Sequence, residues 1–161
     1  MTEHSGNNTK AETLQRIGFL LLPQFAMLSL FCALEPLRVA NRFGGELYSW
    51  HFFSQDGEPV VSSSGIPVAV EGTLADLDRC STLIVDASFE PEASLTPTLF
   101  SRLRQLDRQG VAIGAMDTGC YALAHAGLLE RYQVTLHWES LPAFQEAFPH
   151  IRTTTKLFEF D

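Results

Sequence analysis

The residues best suited to chemistry lie in one stretch, Gly110 to Leu129, GVAIGAMDTGCYALAHAGLL. A short apolar run ends in a Gly-bearing turn, and a helical pattern starts at once. Strand-to-helix elbows of this form hold the nucleophile in many α/β enzymes, because the tight turn exposes one side chain at the end of the sheet. Here the elbow residue is Asp117, followed by Thr118 and Gly119, with Cys120 three positions on. Asp suits such a bend, since it tolerates positive φ better than most residues. Its carboxylate would face the first-turn N–H groups and positive end of the next helix, either as a plain N-cap or with one oxygen left for a ligand. An acyl group on a carboxylate is a mixed anhydride and needs activation, so binding a cation is the easier use of Asp117. Cys120 reads either as a nucleophile or as a small buried hydrophobe facing the sheet.

Further polar candidates are spread along the chain. His137 precedes Trp138 and Glu139, a polar-aromatic cluster just after a short apolar run. It is either a structural histidine or part of a pocket. Trp138 and Phe89 either pack or offer aromatic faces to a cation, an interaction of roughly 0.5–2 kcal/mol each. Glu35 interrupts the run LFCALEPL and points either to solvent beside Arg38 or inward toward His137. Cys32, on the apolar side of the same pattern, reads as core. The SSSG stretch lacks the Gly-x-Ser-x-Gly pattern of a serine nucleophile and reads as a turn. The five histidines and three cysteines show no zinc-site spacing and no paired spacing, so neither a metal site nor a disulfide is expected.

The elements that must position these groups follow from pattern. RIGFLLLP, Arg16 to Pro23, reads as a fully buried strand. A long helix should follow, with Leu28, Phe31, Cys32, Leu34, Val39 and Phe43 on its apolar face, a kink or late start at Pro36, and Gly44 and Gly45 at its end. LYSWHFFS is a second strand, and PVVSSSGIPVAV a hairpin turning near Ser64 and Gly65. STLIVDAS, Ser81 to Ser88, is another buried strand. In TPTLFSRLRQLDRQG, Thr96 caps a helix, Pro97 opens it, Leu99, Phe100, Leu103 and Leu106 form the inner stripe, and Gly110 closes it. VAIGAM is the strand entering the elbow and Cys120 to Ala126 the helix leaving it. VTLHW, LPAFQEAF and TTTKLFEFD read as strand, helix and strand. Apolar strands alternating with helices indicate a parallel sheet covered on both faces. Ligands bind such sheets outside the carboxyl ends of the strands, where Asp86 to Phe89 and Met116 to Gly119 fall.

Composition bounds the function. With 161 residues and 45% hydrophobic content, the chain suits one domain burying roughly 70% of its unfolded surface. Residues 1–15 form a polar tail without the apolar core of a secretory signal. No apolar run approaches the ~20 residues that span a bilayer, and a cytoplasmic protein is expected. A net charge of −8 with no basic cluster argues against nucleic-acid binding by this domain itself.

Three segments taken together, FLLLPQFAMLSLFCALEPLRVANR, GAMDTGCYALAHAGLL and VTLHWES, resemble the N-terminal domain of AraC-type transcription regulators. That domain is of the ThiJ/PfpI-like branch of the class I glutamine-amidotransferase-like superfamily. The likeness covers residues 16–161. It implies a flavodoxin-like α/β fold, a doubly wound, mostly parallel sheet with helices on both faces. In the family's enzymes a nucleophilic cysteine stands where this chain has Asp117, and its partner acid follows a Leu in the first loop, matched here by Leu28 and Ser29. The family's histidine is matched by His137. The resemblance thus implies a pseudoenzyme: a ligand-sensing, dimerising domain without catalytic residues or cofactor. Asp117, Thr118, Gly119, His137, Trp138, Phe89, Ser29 and Glu35 would line its site for a small metabolite, a cationic amino acid or quaternary ammonium compound. It further implies that DNA is reached through a C-terminal helix-turn-helix domain that these 161 residues do not include. The family domain also continues past the strand resembling LFEFD, so this one is expected to be incomplete at its C-terminus. The alternative is a ThiJ/PfpI-type hydrolase or carbonyl-detoxifying enzyme that uses Cys120.

Overall fold

The structure, a computed structural model, describes residues 14–160. The polar tail expected over residues 1–15 lies almost wholly outside them, and Gln15 already belongs to the first strand. Four strands form the main sheet: β1 (Gln15–Leu21), β2 (Tyr48–Phe53), β5 (Thr82–Ala87) and β6 (Ala112–Asp117), in the order β2-β1-β5-β6. Every pairing in it is parallel. β3 (Val60–Val61) and β4 (Pro67–Val68) make the expected small hairpin, with Gly65 at a φ of 79° in its turn. β7 (Gln133–Thr135) and β8 (Arg152–Thr154) form a separate parallel pair, so the final strand is shorter than TTTKLFEFD suggested. This is the doubly wound, flavodoxin-like α/β architecture.

Alternation along β1 distributes the core between two layers. Ile17, Phe19 and Leu21 face α1 (Met27–Gly44), whereas Leu20 and Leu22 join the layer holding α2 (Pro97–Arg108), α3 (Cys120–His125) and α4 (Leu141–Ala147). α2 forms as its residues predict: Thr96 Oγ1 accepts from the Leu99 N–H, Pro97 opens the helix, and Leu99, Leu103 and Leu106 are fully buried. Burying each leucine contributes about 1.5–3 kcal/mol. Two short 3₁₀ helices, Leu74–Arg79 and Pro91–Ser94, add to the elements the sequence pattern predicts. The first is fastened by a Thr73–Asp76 capping box and by Arg102, whose guanidinium reaches the Leu74 carbonyl and Asp78.

α1 corrects the expected face. It runs unbroken through Pro36, but Leu28, Phe31, Val39 and Phe43 point outward, Phe43 being 83% exposed, and Cys32 is exposed rather than core. Only Leu34 of the expected face packs inward, with Met27, Leu30, Ala33 and Leu37 against β1. The helix carries apolar side chains on both flanks, so periodicity alone left its orientation undetermined. Among the described residues no helix is long and apolar enough to cross a membrane.

Candidate functional site

The site is built where β1, β5 and β6 end. Among the described residues the non-glycine positions with positive φ are Gln24, Glu90 and Asp117, and each lies in or beside the loop that follows one of these strands. Such backbone costs of order 1–3 kcal/mol per residue and persists only where its surroundings hold it. Asp117 has a φ of 51°, so the left-handed elbow expected from the sequence is present.

Neighbouring hydrogen bonds hold the elbow. The Thr118 N–H donates to the Ala87 carbonyl and its hydroxyl to the Ser88 carbonyl at 2.6 Å, which ties the turn to the end of β5. Gly119 is required by close approach: a Cβ there would stand 2.2 Å from the Val85 carbonyl oxygen, which cannot retreat without breaking the sheet. Gly119, not Asp117, is the N-cap of α3, and no side chain caps that helix. The plain N-cap reading of Asp117 is therefore corrected. The Asp117 side chain makes no hydrogen bond among the described residues.

Cys120 enters the core instead of the crevice. It is 4% exposed, its thiol donates weakly to the Asp117 carbonyl at 3.7 Å, and burial pushes its pKa up to about 12, with the nearby Asp117 charge adding to the rise. A nucleophilic sulfur needs the opposite environment.

Behind Asp117 lies an acid to which sequence reasoning gave no role. Asp86 is the next-to-last residue of β5 and pairs with Met116, one step before the Ala87–Asp117 pair. It is fully buried. Its Oδ1 lies 2.9 Å from Ser29 Oγ in the first turn of α1, and its Oδ2 has no hydrogen-bond partner. Burial raises its pKa to about 7, with Asp117 adding to the rise and the Ser29 contact opposing it. The available signal was a lone acid inside the apolar run STLIVDAS, since a buried carboxyl needs a reason to be there.

The structure gathers Asp117, Thr118, Gly119 and, through Asp86, Ser29. Phe89, 65% exposed, sits on the loop after β5 with its N–H directed at the Gln24 carbonyl. His137 and Trp138 follow β7, both exposed, with rings 5.3 Å apart. The His137 side chain approaches Glu139, and no hydrogen bond or ion pair links it to Asp117 among the described residues. Glu35 is removed from the site: it points to solvent and accepts two hydrogen bonds from Arg38, the nearer at 2.7 Å. An open groove of ≈ 490 Å³ lined by Asp78, Cys80, Ser81, Gln109, Gly110 and Val111 lies at the opposite ends of β5 and β6, away from these residues.

No protein-family model matches the chain. Known proteins do. The chain is 50% identical over 147 residues to the HTH-type transcriptional regulator CdhR of Pseudomonas aeruginosa, and 43% identical over 148 residues to the HTH-type regulator GbdR of the same species. These matches take in 91% of this chain but 44% and 40% of the two relatives, so the chain spans less than half of their length. Its fold superposes on the crystal structure of an AraC family transcriptional regulator from Pseudomonas putida with a TM-score of 0.83 and 28% identity, over 91% of this chain and 80% of that one. The chain belongs with the ThiJ/PfpI-like domains of AraC-type regulators. A DJ-1 superfamily protein from Agrobacterium tumefaciens shares the same fold, with a TM-score of 0.69 over 88% of this chain and 74% of its own, at 20% identity. The chain thus shares that fold, and its own elbow carries Asp117.

Proposed function

We propose that this domain is a non-catalytic sensor of an AraC-type transcriptional regulator, binding a small organic cation at the carboxyl ends of β5 and β6. The observation that carries the reading is Asp117, turned by a left-handed elbow and left without a hydrogen-bonding partner, in front of a second carboxyl at Asp86. A fixed negative charge backed by low-dielectric surroundings attracts a cationic ammonium or guanidinium head and disfavours ligands that are anionic overall. The regulator names of the relatives support occupancy being passed to a separate DNA-binding domain. Exposed Phe89 and Trp138 are the aromatic groups available to cover such a ligand. Thiol chemistry is disfavoured by the buried state of Cys120.

Thermal-shift screening with arginine, betaine and carnitine tests this. A cation should raise the melting temperature of the wild type and leave Asp117→Asn unmoved. Stabilisation by an anionic metabolite alone would overturn the assignment. Self-association belongs to the same reading and is supported by the outward apolar flank of α1, where Leu28, Phe31, Val39 and Phe43 lie on one helix. Light scattering of the 161-residue chain should give a dimer mass.

A further inference from the structure

Ser29 Oγ has two neighbours: the Ala26 carbonyl at 2.7 Å and Asp86 Oδ1 at 2.9 Å. A hydroxyl owns one hydrogen, and a carbonyl can only accept. That hydrogen serves either acceptor but not both: given to Asp86 it steadies a carboxylate, and given to Ala26 it leaves the Asp86 contact to be made by a proton on the carboxyl, so the contact accommodates both charge states. The other oxygen, Oδ2, is buried and unpartnered, a costly state for an ionised carboxylate and a far cheaper one for a neutral acid.

The surroundings agree. From β6 the charged group facing Asp86 is Asp117. From α1 it meets the Ser29 hydroxyl. From β1 its register partner is Leu21, and the Leu22 N–H donates to its backbone carbonyl. No Lys, Arg or His among the described residues acts on it. Burial favours the proton, the Ser29 hydroxyl opposes it, the like charge of Asp117 adds to the rise, and the balance is a pKa of about 7.

We propose that Asp86 is a specificity-determining residue of the site: it stands as a neutral acid behind Asp117 and releases its proton when an organic cation is captured there, so that binding is coupled to pH. This rests on the cation-sensing reading above. In the step the Asp86 O–H bond breaks, the proton passes to solvent, and the electron pair remains on the carboxylate, whose charge the ligand's positive charge offsets. A neutral or anionic ligand supplies no such offset and leaves the proton in place. Proton release makes binding tighter as pH rises through 7.

Two measurements on the 161-residue chain test the idea. The first needs no ligand: carbon-detected NMR of the Asp carboxyls across pH 3–9. Asp86 should titrate near neutrality, and Asp117→Asn should move its midpoint down. A midpoint near ~4 in the wild type, or one indifferent to Asp117→Asn, would overturn the coupled pair. The second is calorimetry with choline and L-arginine, both net cations, in buffers of different ionisation heat. Protons should leave on binding, and affinity should rise by roughly several-fold from pH 6 to pH 8. Asp86→Asn should bind without proton release and with a flat pH profile. Where Asp86→Asn fails to fold, the wild-type proton count serves instead: it should fall toward zero as pH rises above the Asp86 midpoint, and a count that does not change with pH overturns the proposal. Binding without proton release sinks the proposal. If Asp86 titrates as expected but neither cation binds, the receptor reading fails and the ligand-linked release with it, while the carboxyl pair stands.

Discussion

At the scale of single residues, Asp86 has the largest consequence for stability. Its folded pKa of about 7 lies above the ordinary ~3.9 of an unfolded Asp, so the folded state binds the extra proton. The sign follows: its contribution is complete below pH ~4 and is lost as pH rises through 7. Asp86→Asn, which imitates the neutral acid, should therefore gain on the wild type by up to about 1.4 kcal/mol per pH unit between pH 4 and 7, and then level off. Melting curves of both proteins across that range check it, and parallel curves would contradict it. The thiols give a second test. Cys32 is exposed while Cys80 and Cys120 are buried with raised pKa values, so mild alkylation followed by mass mapping should modify Cys32 first. The elbow was legible because DTG after an apolar run has few uses besides a strained turn. The role of Asp86 was not, because only the parallel register places it behind Asp117, and register is a property of three separated strands.

At the scale of elements, α2 was readable almost to the residue and α1 was not. In α2 a capping Thr, a leading Pro and one leucine stripe all agree. Thr96→Ala should cost about 1 kcal/mol, and Leu103→Ala about 2–5 kcal/mol, both measurable by urea denaturation. In α1 two apolar stripes compete, and packing against Ile17, Phe19 and Leu21 decides between them. The misread flank makes its own prediction. Phe43→Glu and Leu28→Lys should leave the unfolding free energy within about 0.5 kcal/mol of the wild type, as surface changes do, yet lower the mass seen by light scattering. A large loss of stability would mean that these side chains are part of the core after all. The short elements were the least legible, since a three-residue strand such as β8 is fixed by its partner β7 and not by its own pattern.

At the scale of the whole molecule, an acidic domain with a net charge of −8 should not retard a DNA fragment in a gel at moderate salt, and retardation by the 161-residue chain would contradict the division of labour proposed here. The sheet and its layers were foreseen because alternating apolar runs and helical periods admit few arrangements. α1 also links the interior to the surface. Near its C-terminus Asn41 clasps β2, accepting from the Leu47 and Tyr48 N–H groups and donating to the Tyr48 carbonyl. Near its N-terminus the helix is moored through Ser29 to Asp86. With 18 residues it forms a rod about 27 Å long, held at one end by the clasp, at the other by Ser29, and along its inner side by Leu30, Leu34 and Leu37. The Asp86 carboxyl and the outward Leu28 and Phe31 therefore share the first turns of a single helix, the carboxyl on its inner side and the apolar pair on its outer side.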